Sequence, residues 1–301
     1  MPPDVMLREA SPADAPAIAE LLNAHADALF GERELDVEEV RHWFTLPNVW
    51  IRVAERDGRL AGYVDVADDH EDGTRFNVDA RTLEAGAADL LLAAAEEHAR
   101  GEAVDGTLLR GYAPSVDEVL ARAYERAGYR TIRHSFQMRT ELPPEPPAPE
   151  WPDGISVRTL GPDDDDRAYE AQMEAFADHW DFRRGTKEEW RRWNRDRPDF
   201  DPSLWFLAED RREIAGVSFC AWHFSGDPQF GWVHVLGVRP PWRRRGLGLA
   251  LLRHSFAEFA RRGATRVGLG VDAESTTGAV SLYERAGMRV ARRSDTWEKP
   301  L

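Results

Sequence analysis

The clearest chemistry in the sequence lies between Trp232 and Gly263, WVHVLGVRPPWRRRGLGLALLRHSFAEFARRG. An apolar strand ends at Val238, and Pro240 and Pro241 stop its ladder. Arg243, Arg244 and Arg245 then lead into Gly246, Leu247 and Gly248, which open an amphipathic helix carrying Leu249, Leu252, Phe256 and Phe259. The two glycines let a ligand approach the backbone closely. Unpaired N–H groups of the first helical turn, together with the helix dipole, favour an anion. Three arginines add positive charge, so the parts suit a pyrophosphate. A basic turn that caps a surface helix is the plainer alternative, and the flanking strand and long helix weigh against it. No G-K-[ST] follows, which excludes a Walker P-loop. The acidic strand end that a dinucleotide-binding βαβ unit needs about twenty residues on is also missing.

A second candidate stretch is VGLGVDAESTTGAVSLYERAGMRV (267–290). Here a strand ends in a polar loop containing Ser275 and Thr276, and a helix then carries Tyr283. A phenol, with a pKa near ten, is a competent acid toward a thiolate. Plain core packing is the alternative for Tyr283, because Tyr124 occupies the matching place in the first half. His25, His42 and His70 lack a metal-ligand spacing, so no metal is expected. Cys220, the one cysteine, excludes an intramolecular disulfide and any cysteine-rich zinc site, and it reads as a buried packing residue.

The elements that must hold these groups recur twice along the chain. VMLREASPADAP (5–16) matches ISVRTLGPDDDD (155–166), and VAERDGRLAGYV (53–64) matches LAEDRREIAGVS (207–218). LARAYERAGYRTI (120–132) matches AVSLYERAGMRVA (279–291), and each half closes on a short segment, SFQMRTEL (135–142) or SDTWEKPL (294–301). Three matches in one order predict a tandem duplication. Between the halves lies PPEPPAPEWP (143–152), which cannot donate ladder hydrogen bonds and reads as a semi-rigid linker. In the second half the pattern predicts strands near 155–159, 204–210, 213–224, 230–238, 266–271 and 289–297. Helices are expected near 163–177, 186–194, 245–262 and 276–286. The fold class is therefore α/β with a central mixed sheet.

At 301 residues, with 42% apolar content, the chain can fill two cores. Its formal charge of -15 argues against a binder of nucleic-acid backbones. No run of eighteen apolar residues predicts a membrane span, and the start, MPPDVMLREA, does not read as a signal peptide. A soluble cytoplasmic protein is expected.

The segments V-R-P-P-W-R-R-R-G-L-G (238–248) and L-Y-E-R-A-G-M (282–288) resemble the GNAT superfamily of N-acetyltransferases in order and spacing. The resemblance covers the second half and, more weakly, the first. Its tandem arrangement is similar to that of actinobacterial double-domain proteins of the mycothiol-synthase type. The resemblance implies that Arg243–Gly248 cradles the pyrophosphate of acetyl-coenzyme A, the co-substrate. Leu236, Gly237 and Val238 would pair with the pantetheine arm, and Tyr283 would protonate the departing thiolate. Many members place a Glu on the strand before the turn as general base. Here that strand reads Trp232-Val233-His234-Val235, leaving His234 as the candidate base or a histidine satisfied inside the sheet. An Asn commonly precedes the tyrosine helix, and Ser275 and Thr276 stand in that region. Glu174, Phe176, His179 and Trp180 fall where the family forms its acceptor pocket, which would receive the amine of a small molecule or peptide. The first half has no R-x-x-G-x-G, and Asp79 and Glu84 stand where they would repel a phosphate. The expected organisation is a degenerate GNAT-like domain (1–142), a linker (143–152) and a catalytic GNAT domain (153–301), as a monomer or homodimer. A cysteinyl pseudodisaccharide acceptor, and a non-catalytic acyl-coenzyme A binding module, are the alternatives.

Overall fold

A computed structural model describes residues 5–68, 71–222 and 226–301. His70 and the end of the strand expected over 213–224 lie outside them. The chain divides into two compact units that do not follow the expected boundaries at 142 and 153. One takes the chain up to Ser135 together with Arg293–Leu301, and the other is Phe136–Arg292.

The first unit begins with β1 (Met6–Glu9), α1 (Ala15–Phe30), α2 (Val37–Trp43), β2 (Val49–Arg56), β3 (Arg59–Asp68) and β4 (Arg75–Arg81). It continues with α3 (Ala85–Glu102), β5 (Leu108–Pro114), α4 (Glu118–Arg126) and the start of β6 (Arg130–Glu141). In the second unit come β7 (Ile155–Thr159), α5 (Asp165–Phe176), α6 (Lys187–Trp190), β8 (Trp205–Asp210), β9 (Glu213–Ala221) and β10 (Phe230–Val238). There follow α7 (Leu247–Arg261), β11 (Arg266–Asp272), α8 (Ala279–Arg285) and β12 (Arg289–Pro300). The observed elements of the second half fall where the sequence pattern places them, within a few residues.

Each unit is a mixed sheet with helices on both faces. The strand order is β1-β2-β3-β4-β5-β12 in the first unit and β6-β11-β10-β9-β8-β7 in the second. β4 and β5 pair in parallel, as do β10 and β11, whereas β1–β2, β2–β3, β3–β4, β5–β12, β7–β8, β8–β9 and β9–β10 are antiparallel. Alternation along each strand sends successive side chains to opposite faces. Trp205 and Leu207 pack toward α5 and α6, while Phe206 and Ala208 join a core with Leu247, Leu251 and Phe256 of α7.

The closing strands are exchanged. The end of β12 pairs with β5 from Ser294↔Pro114 to Pro300↔Leu108, inside the first unit. Trp297 is buried in that unit's core and stacks on Tyr124 with ring centroids 5.6 Å apart. Glu298 meets the buried Arg110 at 2.5 Å, and Lys299 meets Glu96 at 2.6 Å. The end of β6 lies beside β11 in the second unit, where Met138 is fully buried and Leu142 N–H donates to the Thr265 carbonyl at 2.7 Å. The two closing segments thus serve the opposite halves from those the sequence order suggests. The proline-rich stretch after β6 is docked, since Trp151 packs edge-on against His254 of α7.

Trp297→Ala should therefore destabilise the first unit by about 3–5 kcal/mol, the cost of emptying a large core site. Thermal unfolding of the full-length protein should show a clear fall in melting temperature. A melting curve superimposable on that of the intact chain would contradict this packing.

Candidate functional site

The site begins with two parallel strands that part. β10 and β11 pair from Phe230↔Arg266 to Val233↔Leu269 and no further, although β10 runs on to Val238 and β11 to Asp272. A bulge between Val233 and Val235 interrupts the pairing of β10 with β9 and inserts His234 as the extra residue. Val233 packs on the α7 side while Val235 packs on the α5 side, so the alternation changes phase at the bulge. Beyond it, Leu236↔Ser218, Gly237↔Val217 and Val238↔Gly216 hold β10 to β9, and among the described residues no strand is paired to the opposite edge of Leu236–Val238. Facing this gap on β11, a Cβ built on Gly270 would meet nothing within 4 Å.

β10 leads into the glycine turn. Arg244 has φ 62° and Gly246 φ 85°, both left-handed. An arginine held there costs about 1–2 kcal/mol relative to a right-handed conformation, strain of the kind found at ligand cradles. The N–H groups of Arg244, Arg245, Gly246, Leu247 and Gly248 have no acceptor among the described residues. A Cβ on Gly246 would meet nothing within 4 Å, so the concavity is open, whereas one on Gly248 would lie 2.8 Å from Leu282 of α8. Leu247 is buried and anchors the helix start. Arg244 and Arg245 are exposed and have no ion-pair partner among the described residues. Arg243 does something different: its Nε donates to the Val238 carbonyl at 3.0 Å, and its guanidinium grips Asp178 at 2.5 Å and the Ala175 carbonyl at 3.0 Å. It braces the turn, and its charge is matched. Free N–H groups, an open glycine and two unpaired arginines fit a pyrophosphate.

Tyr283 lies on α8, against α7. It is 7% exposed, and its hydroxyl makes no hydrogen bond among the described residues. Burial pushes its pKa up to about 12. The loop ahead of α8 holds Ser275, whose hydroxyl meets that of Thr277 at 2.8 Å, and the exposed Thr276.

On the α5 side His234 opens into a cavity of roughly 200 Å³ lined by Trp193, Asn194, Arg197, Asp199, Phe200 and Trp205, among others. Trp205 stacks on Phe219 at 4.0 Å, and Phe200 meets Trp205 edge-on at 5.0 Å. Burial lowers the His234 pKa and Asp199 offsets only part of that, so the ring is neutral at pH 7. Burial would raise Asp199, but hydrogen bonds from His234 and Arg197 outweigh it and hold the carboxyl well below the usual range. Apart from His234 and Cys220, the walls of this cavity, Asp199 included, are not among the residues the sequence singles out. The segment carrying Trp193–Phe200 has no motif, and only the fold brings it to the bulge.

The four residues expected to line an acceptor pocket lie outside the His234 cavity. Glu174 is paired with Arg239 at 2.7 Å, and Phe176 covers Gly237, where a Cβ would lie 2.9 Å from the ring. His179 packs on Phe176 at 4.4 Å, with its pKa lowered by burial, and Trp180 is 43% exposed. They brace the end of α5 against the turn and do not line the His234 cavity.

Residues 166–288, all within the second unit, match the model of the acetyltransferase (GNAT) family. The chain is 42% identical over 164 residues to a mycothiol acetyltransferase of Salinispora arenicola, a match spanning 53% of each protein. It is 32% identical to a mycothiol acetyltransferase of Streptomyces griseus, over 77% of this chain and 74% of that one. A crystal structure of a GCN5-related N-acetyltransferase from Sphaerobacter thermophilus superimposes with TM-score 0.83 and 34% identity, covering 100% of this chain and 96% of the other. The chain belongs to the GNAT family. It spans about half the length of the curated relatives it matches first.

The first unit carries the GNAT frame with its opening filled. β4 and β5 pair only from Arg75↔Leu108 to Val78↔Gly111, and Tyr124 enters beyond that point. Its hydroxyl lies 3.4 Å from the Val78 carbonyl, and a Cβ on Gly111 would stand 2.4 Å from the ring, so only glycine admits it. At the start of α3 the Glu84 N–H is taken by the Thr82 hydroxyl, and Glu84 itself pairs with Arg56. Asp65 and Asp79 stand directly opposite each other on β3 and β4. Burial and the neighbouring Asp79 push the Asp65 carboxyl up to about 8, although the Tyr63 hydroxyl donates to it at 2.8 Å. Burial raises Asp79 too, against the pull of the adjacent Arg81.

Two expectations follow for this GNAT chain. Between the ordinary carboxyl pKa near 4 and about 8, the folded state binds more protons at Asp65 than the unfolded chain does. Folding therefore loses stability as pH rises through that window. Asp65→Asn keeps an acceptor for Tyr63 and removes the opposed charge, so it should raise the melting temperature at pH 8 and leave it nearly unchanged at pH 4. A scan of melting temperature against pH checks both ends, and a variant less stable at pH 8 would refute the reading. At the turn, Gly246→Glu should abolish acetyl-coenzyme A binding measured by calorimetry, because a strained, negative side chain would fill the anion cradle.

Proposed function

We propose that the chain is an acetyl-coenzyme A-dependent N-acetyltransferase in which the second unit does the chemistry on a primary amine. One observation carries the reading: the open edge of Leu236–Val238 runs from a turn of free N–H groups to the extra residue His234 at the bulge. When bound, acetyl-coenzyme A supplies an activated acetyl thioester. The N–H groups of Arg244–Gly248, with Arg244 and Arg245, would hold its pyrophosphate. The unpaired edge of β10 would receive the pantetheine arm, and a backbone N–H near Leu236 or Val238 would stabilise the developing oxyanion.

His234, neutral at working pH, takes a proton from the incoming ammonium, directly or through a water. Tyr283 gives a proton to the departing thiolate from the opposite face of the sheet and recovers one from solvent. Ser275 and Thr276, in the loop ahead of α8, would contact the cofactor. Glu174, Phe176, His179 and Trp180 support the turn, and the His234 cavity is the place for the acceptor.

The first unit, with Tyr124 in its gap and no free turn, serves structure and binds no acetyl-coenzyme A. Two relatives that the chain resembles carry the name mycothiol acetyltransferase, which favours a mycothiol-type amine as the second reading of the acceptor. The absence of a carboxylate from Trp232-Val233-His234-Val235 keeps the first reading broader: the amine of a small molecule or peptide. Among the described residues no helix is long and apolar enough to cross a membrane and no group of side chains could hold a metal. We place the enzyme in the cytoplasm, as a monomer or homodimer with no nucleic-acid partner.

Calorimetry should return one acetyl-coenzyme A per chain, and thiol release should appear with one class in a panel of amines, aminoglycosides, amino acids and peptides. Tyr283→Phe should lower turnover about ten- to a thousandfold while cofactor affinity changes little. Two equivalent sites would overturn the assignment to the second unit. Binding without turnover across the panel would make the protein a cofactor-binding module.

A further inference from the structure

His234 is not alone in its cavity. Its Nε2 faces Asp199 Oδ2 at 3.4 Å, a long hydrogen bond of the kind that tightens when the ring becomes charged. Asp199 is itself fixed: Arg197 Nε donates to Oδ1 at 2.8 Å and Arg197 Nη2 to Oδ2 at 3.0 Å, the two-pronged grip that holds a carboxylate in one orientation. The walls around them are aromatic, Trp193, Phe200 and Trp205, and they leave the histidine side chain 30% exposed. His234 Nδ1 has no hydrogen-bond partner among the described residues. A carboxylate can only accept, so the imidazole nitrogen facing it must carry the hydrogen in the neutral ring.

We propose that Asp199, clamped by Arg197, is the positioning residue that holds neutral His234 with its hydrogen on Nε2 and so presents Nδ1 as the acceptor of the amine proton. The inference rests on reading the second unit as the acetyl-transfer centre. The protons balance without any further reagent. One passes from the ammonium to Nδ1, giving an imidazolium whose Nε2–H points at the Asp199 carboxylate. The amine nitrogen then forms its bond to the acetyl carbon as the carbon–sulfur bond breaks. Tyr283 supplies the thiol proton and recovers one from solvent, while the second hydrogen that the nitrogen loses and the proton held by His234 both pass to solvent. Asp199 never takes a proton and acts on the reacting atoms only through His234. Its effect is on which nitrogen is bare and on how well the ring tolerates charge, the division of labour seen wherever a carboxylate orients a histidine base.

The test needs no knowledge of the acceptor. In the full chain labelled with [15N]histidine, long-range 15N–1H correlation spectra distinguish the two neutral tautomers, and His234→Gln identifies the His234 signals. The intact protein should show Nε2 protonated and Nδ1 bare. Asp199→Asn and Asp199→Ala should each lower the His234 pKa by roughly one unit, since a nearby negative charge is lost, and should release the ring into a mixture of tautomers. A neutral His234 protonated on Nδ1 in the intact chain, or titration unchanged in both variants, would overturn the proposal. Failure of the parent reading looks different: His234 keeps the expected tautomer while no amine in the panel releases thiol, and the acid–base role then falls although the orientation stands.

Discussion

Everything distinctive about the second unit depends on two parallel strands ceasing to pair. Up to Val233 and Leu269 the ladder between β10 and β11 is continuous; beyond them it is absent. A strand edge stripped of its partner inside a fold is costly, because its backbone polar groups still need partners. The bulge at His234 lies at the point of parting, where it inserts a residue and shifts the phase of the strand. The same bulge carries the candidate base. The loss of pairing, the direction of His234 and the approach to the glycine turn are thus one local event in the backbone.

The two units show what such an opening requires if it is to stay closed. In the first, a tyrosine hydroxyl reaches the Val78 carbonyl, and Gly111 makes room for the ring. In the second, the corresponding helix carries Tyr283 with its hydroxyl unengaged. One residue type, at one place in a repeated frame, fills the gap in one unit, whereas in the other a Cβ on Gly270 facing the gap would meet nothing within 4 Å. Among the described residues, a bulge, free N–H groups and unpaired arginines accompany the open version, while an opposed carboxylate pair and a Glu84 N–H taken by Thr82 accompany the closed one.

Much of this was legible in the sequence because it is local. The glycine turn, the helix after it, the strand before it and the tyrosine helix are fixed by spacing and by stop signals such as Pro240, Gly263 and Gly287. The duplicated pattern correctly gave a mixed sheet in each half. Partners brought together from distant segments were not legible. Arg197 and Asp199 sit in an irregular stretch with no period, and their meaning comes only from the bulge they face. Glu174 stands where the family forms its acceptor pocket, and the sequence alone does not show that Arg239 pairs with it. The exchange of closing strands was hidden for a physical reason. SFQMRTEL and SDTWEKPL are equally good strands, and nothing in either records which edge it joins.

That exchange has a consequence for how the molecule comes into being. β5 waits for a neighbour, residues 294–300, that leaves the ribosome only after all of the second unit. The amino-terminal unit, although made first, must remain with an unpaired sheet edge and a core lacking Trp297 until then. Pairings of such long sequence separation form slowly, and exposed edges of this kind recruit foreign strands. Synthesis order and completion order are therefore reversed. The second unit has every one of its strands in hand before the first can be finished.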